Sequence, residues 1–212
     1  MGGLLIVALF AIYVWIAIVA IRRAKGARFK TLVTIAVVLI PTADAIYGRI
    51  RLGHLCSAEG GLRVFGSAVN VAGIYFSTGP DDRWIKEYGF KFAESRTVEN
   101  RGVNRLTRQG DGLIVLEKNV EPISAYRLRF VPGDLAEAYM RSTYVVESVD
   151  GKSVLGQLVN INYAGGWVER AVGGLYGGRG SAGTCLSNVE VDALRCELVQ
   201  KTLKHSRTEK PR

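Results

Sequence analysis

The hydrophobic pattern divides the chain near residue 48. Gly2 to Ile21 is a run of twenty residues without a charge, GGLLIVALFAIYVWIAIVAI. At 1.5 Å per residue such a helix is about 30 Å long, the thickness of a bilayer's hydrocarbon core. A basic segment, 22–30, carries Arg22, Arg23, Lys25, Arg28 and Lys30 and no acid. A second apolar run follows from Thr31 to about Tyr47. The pattern predicts a transmembrane hairpin over 1–48, with 22–30 as its short loop. No Lys or Arg precedes Arg22 and no small-x-small exit follows the first run, so an uncleaved helix is expected rather than a signal peptide. The excess of positive charge places the loop in the cytoplasm, with both termini on the outer side. Asp44 interrupts the second run just before Tyr47, Arg49 and Arg51. An interfacial carboxylate paired with an arginine is expected there, and a functional intramembrane acid helped by a kink at Pro41 is the alternative.

From residue 49 to 200 the period changes repeatedly, as in an extracytoplasmic mixed domain. GRIRLGHLCSAEGG predicts a helical extension that stops at Gly60-Gly61. Short β-branched and aromatic runs follow, LRVF and VNVAGIYF, and then a one- or two-turn helix over 81–88 that ends at Gly89. Strands are predicted where Phe90 and Phe92 alternate with Lys91 and Glu94, after the Gly110-Asp111-Gly112 turn, and in ISAYRLRF. Pro132-Gly133 predicts a turn, with a single helical turn over 134–139. Asp150-Gly151 is the strongest hairpin signal, flanked by arms rich in Val, Ile and Tyr. Residues 173–183 are glycine-rich and predict a flexible loop. A final amphipathic helix from Asn188 to about Leu203 places Val191, Leu194, Leu198 and Val199 near one face. Six to eight strands with two or three short helices make an α+β domain around a mainly antiparallel β-sheet.

A formal charge of +9 raises the question of nucleic acid, and its distribution answers it. Of 28 basic residues, five lie in the loop 22–30 and five in the tail 201–212. Between Arg49 and Gln200 there are 18 basic and 17 acidic residues, leaving no surplus for a basic face. No nucleic-acid partner is expected, and the tail is expected to be disordered and solvated.

The candidate chemistry is thin. The glycine-rich stretch contains no Gly-Lys-Ser/Thr, so it is not a P-loop. His54, Cys56 and Glu59 are close in sequence, but a zinc site would need further ligands, and Asp44 and Cys185 are distant. His205 lies in the tail, so a catalytic triad would have to be built on His54. The acid pairs Asp81/Asp82 and Glu94/Glu99 fall in turn or exposed contexts. No catalytic residue, metal or cofactor is therefore expected. In an oxidising compartment two of Cys56, Cys185 and Cys196 should pair. Cys56–Cys185 is favoured, since both lie at element ends beside glycines, and Cys185–Cys196 is the second choice.

Leu55-Cys56 followed by Glu59-Gly60-Gly61 resembles a scattered group of uncharacterised bacterial membrane-anchored proteins with a Cys-x-x-Glu-Gly-Gly motif after a transmembrane helix. Tyr163-Ala164-Gly165-Gly166-Trp167 and the approach to Cys185 are similar to that group as well. The resemblance implies an anchor followed by a domain, and no activity. The resulting expectation is a bacterial inner-membrane protein with a periplasmic domain. It would be a non-enzymatic interaction or accessory module of an envelope complex, with Tyr75, Trp84, Tyr163 and Trp167 as candidate aromatic anchors for a protein partner. A periplasmic hydrolase, or a small-ligand sensor with 173–183 as a lid, is the alternative.

Overall fold

The uncharged first run forms one helix, α1 (Gly2–Arg23), whose last turn carries Arg22 and Arg23 next to the exposed carbonyls. Only residues 24–26 separate it from α2 (Ala27–Ala58), because Gly26 takes φ +89° and reverses the chain. The basic segment expected as a loop is thus mostly helical. In the computed structural model, residues 2–77, 82–96, 102–110, 112–136, 138–170 and 181–204 are described. The helices pack through small residues, with Ala17 and Ala24 buried, and the Tyr13 hydroxyl donates to the Val37 carbonyl. α2 bends by 54° between Ala27–Val37 and Thr42–Ala58, around Pro41, whose nitrogen has no hydrogen to donate. Among the described residues no single helix is long and apolar enough to cross a membrane, and only this bent pair meets that description together. The two expected spans therefore do not follow from the helices themselves.

The remaining elements are β1 (Gly61–Val64), β2 (Ala68–Val69), β3 (Gly73–Phe76), α3 (Arg83–Lys86), β4 (Phe92–Arg96), β5 (Val103–Arg108), β6 (Ile114–Val120), β7 (Tyr126–Ala136), β8 (Tyr139–Ser148), β9 (Val154–Tyr163), β10 (Gly183–Thr184), α4 (Asn188–Thr202) and β11 (Leu203–Lys204). Nine strands join one sheet in the order β1-β9-β8-β7-β3-β4-β5-β6, with β10 also on β9. The α+β class and the mainly antiparallel sheet are as the sequence predicts. β3 is the exception, pairing in parallel with both β4 and β7.

Three expectations are corrected. Pro132-Gly133 is not a turn, and 134–136 are not helical: β7 runs through both to Ala136. β5 was not foreseen, because VNRLTR has too few apolar residues to give a period-2 signal. The tail is ordered at its start, where β11 pairs in parallel with β2 and the Lys204 carbonyl accepts from the Val71 N–H. Residues 205–212 lie outside the described residues.

The chain groups into two compact units: one holds 1–58, 134–140 and 161–185, the other 59–133, 141–160 and 186–212. The core of the second unit is built from Ile74, Phe76, Ala93, Leu128, Val146 and Leu158 on the strands, with Trp84 and Ile85 of α3 and Leu198 and Val199 of α4. The amphipathic face expected for α4 is the one it buries, except that Leu194 is only partly covered. Ser187 and Glu190 close a capping box at its start, satisfying two backbone donors reciprocally.

Candidate functional site

In the first unit the C-terminal part of α2 is held by residues from two later segments. Gly48 is what permits the contact. A Cβ there would lie 2.1 Å from the Tyr163 hydroxyl, and with no Cβ the ring can lie against the helix backbone. The Tyr163 hydroxyl donates to the Asp44 carbonyl at 3.2 Å, and the Tyr139 hydroxyl to the Gly48 carbonyl at 2.9 Å. The two rings stack at 5.1 Å, and the Arg51 guanidinium lies 5.6 Å from the centre of the Tyr139 ring. Burial pushes both tyrosine hydroxyls above their ordinary values; for Tyr163 the neighbouring Tyr139, Asp44 and Glu169 add to it.

Asp44 does not pair with an arginine. Its Oδ2 accepts the Trp167 backbone N–H at 2.5 Å, at the start of a helical turn over 167–170, and its Oδ1 is buried without a hydrogen-bond donor. The neighbouring Gly166 N–H goes to Glu169 Oε2 at 2.9 Å. Glu169 Oε1 in turn takes Arg49 at 2.6 Å, the arginine expected to neutralise Asp44. A backbone donor at the turn reaches one oxygen of each carboxylate, and Arg49 goes to Glu169 rather than to Asp44. Gly166 also permits close approach, since a Cβ on it would meet Asp44 Oδ1 at 2.7 Å and Ala45 at 2.9 Å.

About two turns beyond Gly48, Cys56 and Cys185 form a disulfide with their Cα atoms 5.3 Å apart, as favoured from the sequence. Cys185 is also held by its N–H to the Ile161 carbonyl. Cys196 is free and half-buried. With Cys56 oxidised, His54 exposed and Glu59 bound to Arg141 at 3.1 Å, the His54-Cys56-Glu59 group offers no thiolate to a metal. Among the described residues no three His, Cys, Asp or Glu side chains converge.

The second unit holds a feature that the sequence reading missed. Glu94, expected in an exposed context, is 0% exposed. Its Oε1 receives Arg105 at 2.7 and 2.9 Å, and its Oε2 the Ser124 N–H at 2.9 Å, with the Ile123 N–H shared between them. Burial alone would raise its pKa, but the donors from Ser124, Arg105 and Ile123 outweigh burial and hold it below the ordinary carboxylate range. Glu147 follows the same logic, taking Arg127 at 2.7 Å and Arg129 at 2.9 Å. Its place between Ala93 and Ser95, small residues buried with it on β4, is the one sequence signal that could have found it. Asp81, Glu99 and residues 173–180 of the glycine-rich loop 173–183 lie outside the described residues.

Of the four candidate aromatic anchors, Trp84 is buried in the core of the second unit and Tyr163 is 2% exposed. Tyr75 is half-buried on β3. Trp167, at 46%, is the exposed member. In the first unit both tyrosine hydroxyls donate to helix carbonyls, and Asp44 and Glu169 each accept a backbone N–H from residues 166–167. No family model, curated protein or solved structure matches the chain.

Proposed function

We propose that the chain is a membrane-anchored, extracytoplasmic accessory module whose role is to present a folded domain at a fixed place on the bilayer, as a non-catalytic part of an envelope complex. The observation that carries this reading is the joint on α2. Asp44, Gly48 and Cys56 are each bound to a residue between 139 and 185, so the anchor helix and this part of the domain move together. A flexible tether would suffice for an enzyme acting on a diffusing substrate, whereas a module that fits into an assembly gains from fixed geometry.

Support for the anchor comes from α1, uncharged from Gly2 to Ile21, and from the apolar side chains that both helices expose: Ile12, Trp15, Ile16 and Ile18 on one, Leu32, Ile35 and Leu39 on the other. A surface of that size and character is costly in water and suited to lipid. The disulfide favours an oxidising compartment for the outer end of α2. The two spans, the cytoplasmic loop and the placement of both termini in the periplasm of a bacterial inner membrane belong to the same proposal. The buried acids support a non-catalytic role, since Glu94 and Glu147 are each held by arginines rather than left poised.

The test is purification of the tagged full chain in mild detergent followed by mass spectrometry of co-purifying proteins. A stoichiometric membrane partner is expected, and a clean, solitary protein overturns the accessory-module reading.

A further inference from the structure

Trp167 is tied to the anchor helix at a known height, and that height fixes where its indole must be. Its backbone N–H is 2.5 Å from the Asp44 carboxylate, and Gly166 lies against Ala45. Asp44 is three residues before Tyr47, where the second apolar run ends, so the Trp167 backbone lies about 5 Å toward the hydrocarbon side of Tyr47 along the helix axis. The indole is 46% exposed at that level. On α2 itself Ile46, Tyr47 and Ile50 are 51%, 65% and 58% exposed over the same stretch. Arg49 and Arg51 begin the charged stretch immediately beyond.

We infer that the Gly165-Gly166-Trp167 corner is a membrane seat: Trp167, with Ile46, Tyr47 and Ile50, sits in the outer headgroup layer of the bilayer and holds the first unit onto the lipid surface. The inference rests on the membrane-anchor reading and deepens it, adding a second point of attachment that is not a span. The chemistry fits the occupant. An indole and a phenol, apolar in body and polar at one edge, prefer the interface between headgroups and hydrocarbon, and flanking guanidinium groups suit lipid phosphates. The corner and the exposed apolar side chains of α2 share one level along the helix, so a single lipid layer covers both. The two glycines bring it there. Gly165 takes φ +98°, and Gly166 has no side chain to hold the corner off the helix.

The test uses the full chain, with its disulfide intact, in vesicles of phosphatidylethanolamine and phosphatidylglycerol carrying bromine either near the headgroups or near the chain ends. The tryptophans are Trp15, Trp84 and Trp167, and Trp84 is buried in protein, so it contributes an unquenched background. In Trp15→Phe the Trp167 emission should fall by about half with headgroup-proximal bromine and less with bromine at the chain ends, as for an interfacial indole. The quenched component should vanish in Trp15→Phe/Trp167→Phe. In Trp167→Phe, quenching of Trp15 by chain-end bromine reports the span alone. If Trp15 is quenched and Trp167 is not, the seat is overturned while the anchor stands, and acrylamide then shows whether water or another protein covers the indole. Loss of quenching at Trp15 overturns the anchor itself. The Trp15→Phe reading stands even should the double variant fold poorly, because any bromine-quenched emission in it belongs to Trp167.

Discussion

Glu94 shows how much one side chain can organise. Four donors converge on it from β5 and from 123–124, so removing the carboxylate leaves a guanidinium that is only 15% exposed with the Glu121 carbonyl and the more distant Glu117 as its remaining partners. Glu94→Ala should destabilise the protein by about 3–5 kcal/mol in urea unfolding, the range for breaking a buried pair by deleting one member. Glu117→Ala, which removes the exposed partner 3.7 Å from the same arginine, should cost under about 1 kcal/mol. Gly48 is the opposite kind of residue, indispensable for what it lacks. Gly48→Ala puts a methyl group where the Tyr163 hydroxyl lies, and overpacking of this sort costs about 1–3 kcal/mol. A fall in the thermal midpoint with the disulfide still formed is the expected result. An unchanged midpoint would mean that Tyr163 is not seated on the helix.

Among the elements, those with strong local signals were legible in advance. α4 combines a capping box with an apolar face, and the Asp150-Gly151 hairpin joins two long arms, β8 and β9. β7 shows what overrides a local signal: Pro132-Gly133 reads as a turn, yet the strand continues past it, since proline lacks only the N–H and an extended φ still suits it. β5, with arginines at 105 and 108, hid because its polar positions are satisfied by partners remote in sequence. The joint on α2 was half visible for the same reason. The cysteine pair could be argued from element ends, but nothing local says that Asp44 will take the N–H of a residue 123 positions away. The disulfide closes a loop of 129 residues, and the chain-entropy model assigns such a closure about 5 kcal/mol. Cys56→Ala/Cys185→Ala should therefore lower the unfolding free energy measured in urea by about 2–4 kcal/mol on the usual measured scale, whereas Cys196→Ala should leave the pairing of the other two intact on a non-reducing gel.

At the scale of the whole molecule the buried acids set the response to pH. Glu94 and Glu147 are held below their ordinary values in the folded chain, so the unfolded chain binds more protons in acid. Their contribution is complete above the ordinary carboxylate range, about pH 4.3, and is lost as pH falls through the lower folded-state values. Stability should be flat in this respect between pH 7 and about 5.5 and then decline by up to about 1.4 kcal/mol per pH unit for each group. Urea midpoints measured down the acid range should show a shallower decline in Glu94→Gln; an identical slope would remove Glu94 from the account. The pairing of β11 with β2 acts on a different clock. Leu203 lies opposite Ala68, and β1 pairs with residues 156–159 of β9, so strands made early must wait for residues made much later. A ribosome that has reached residue 180 has produced neither Cys185 nor α4 nor β11. The second unit can close only after the chain has been made out to residue 204, which makes the last stretch of synthesis a latch.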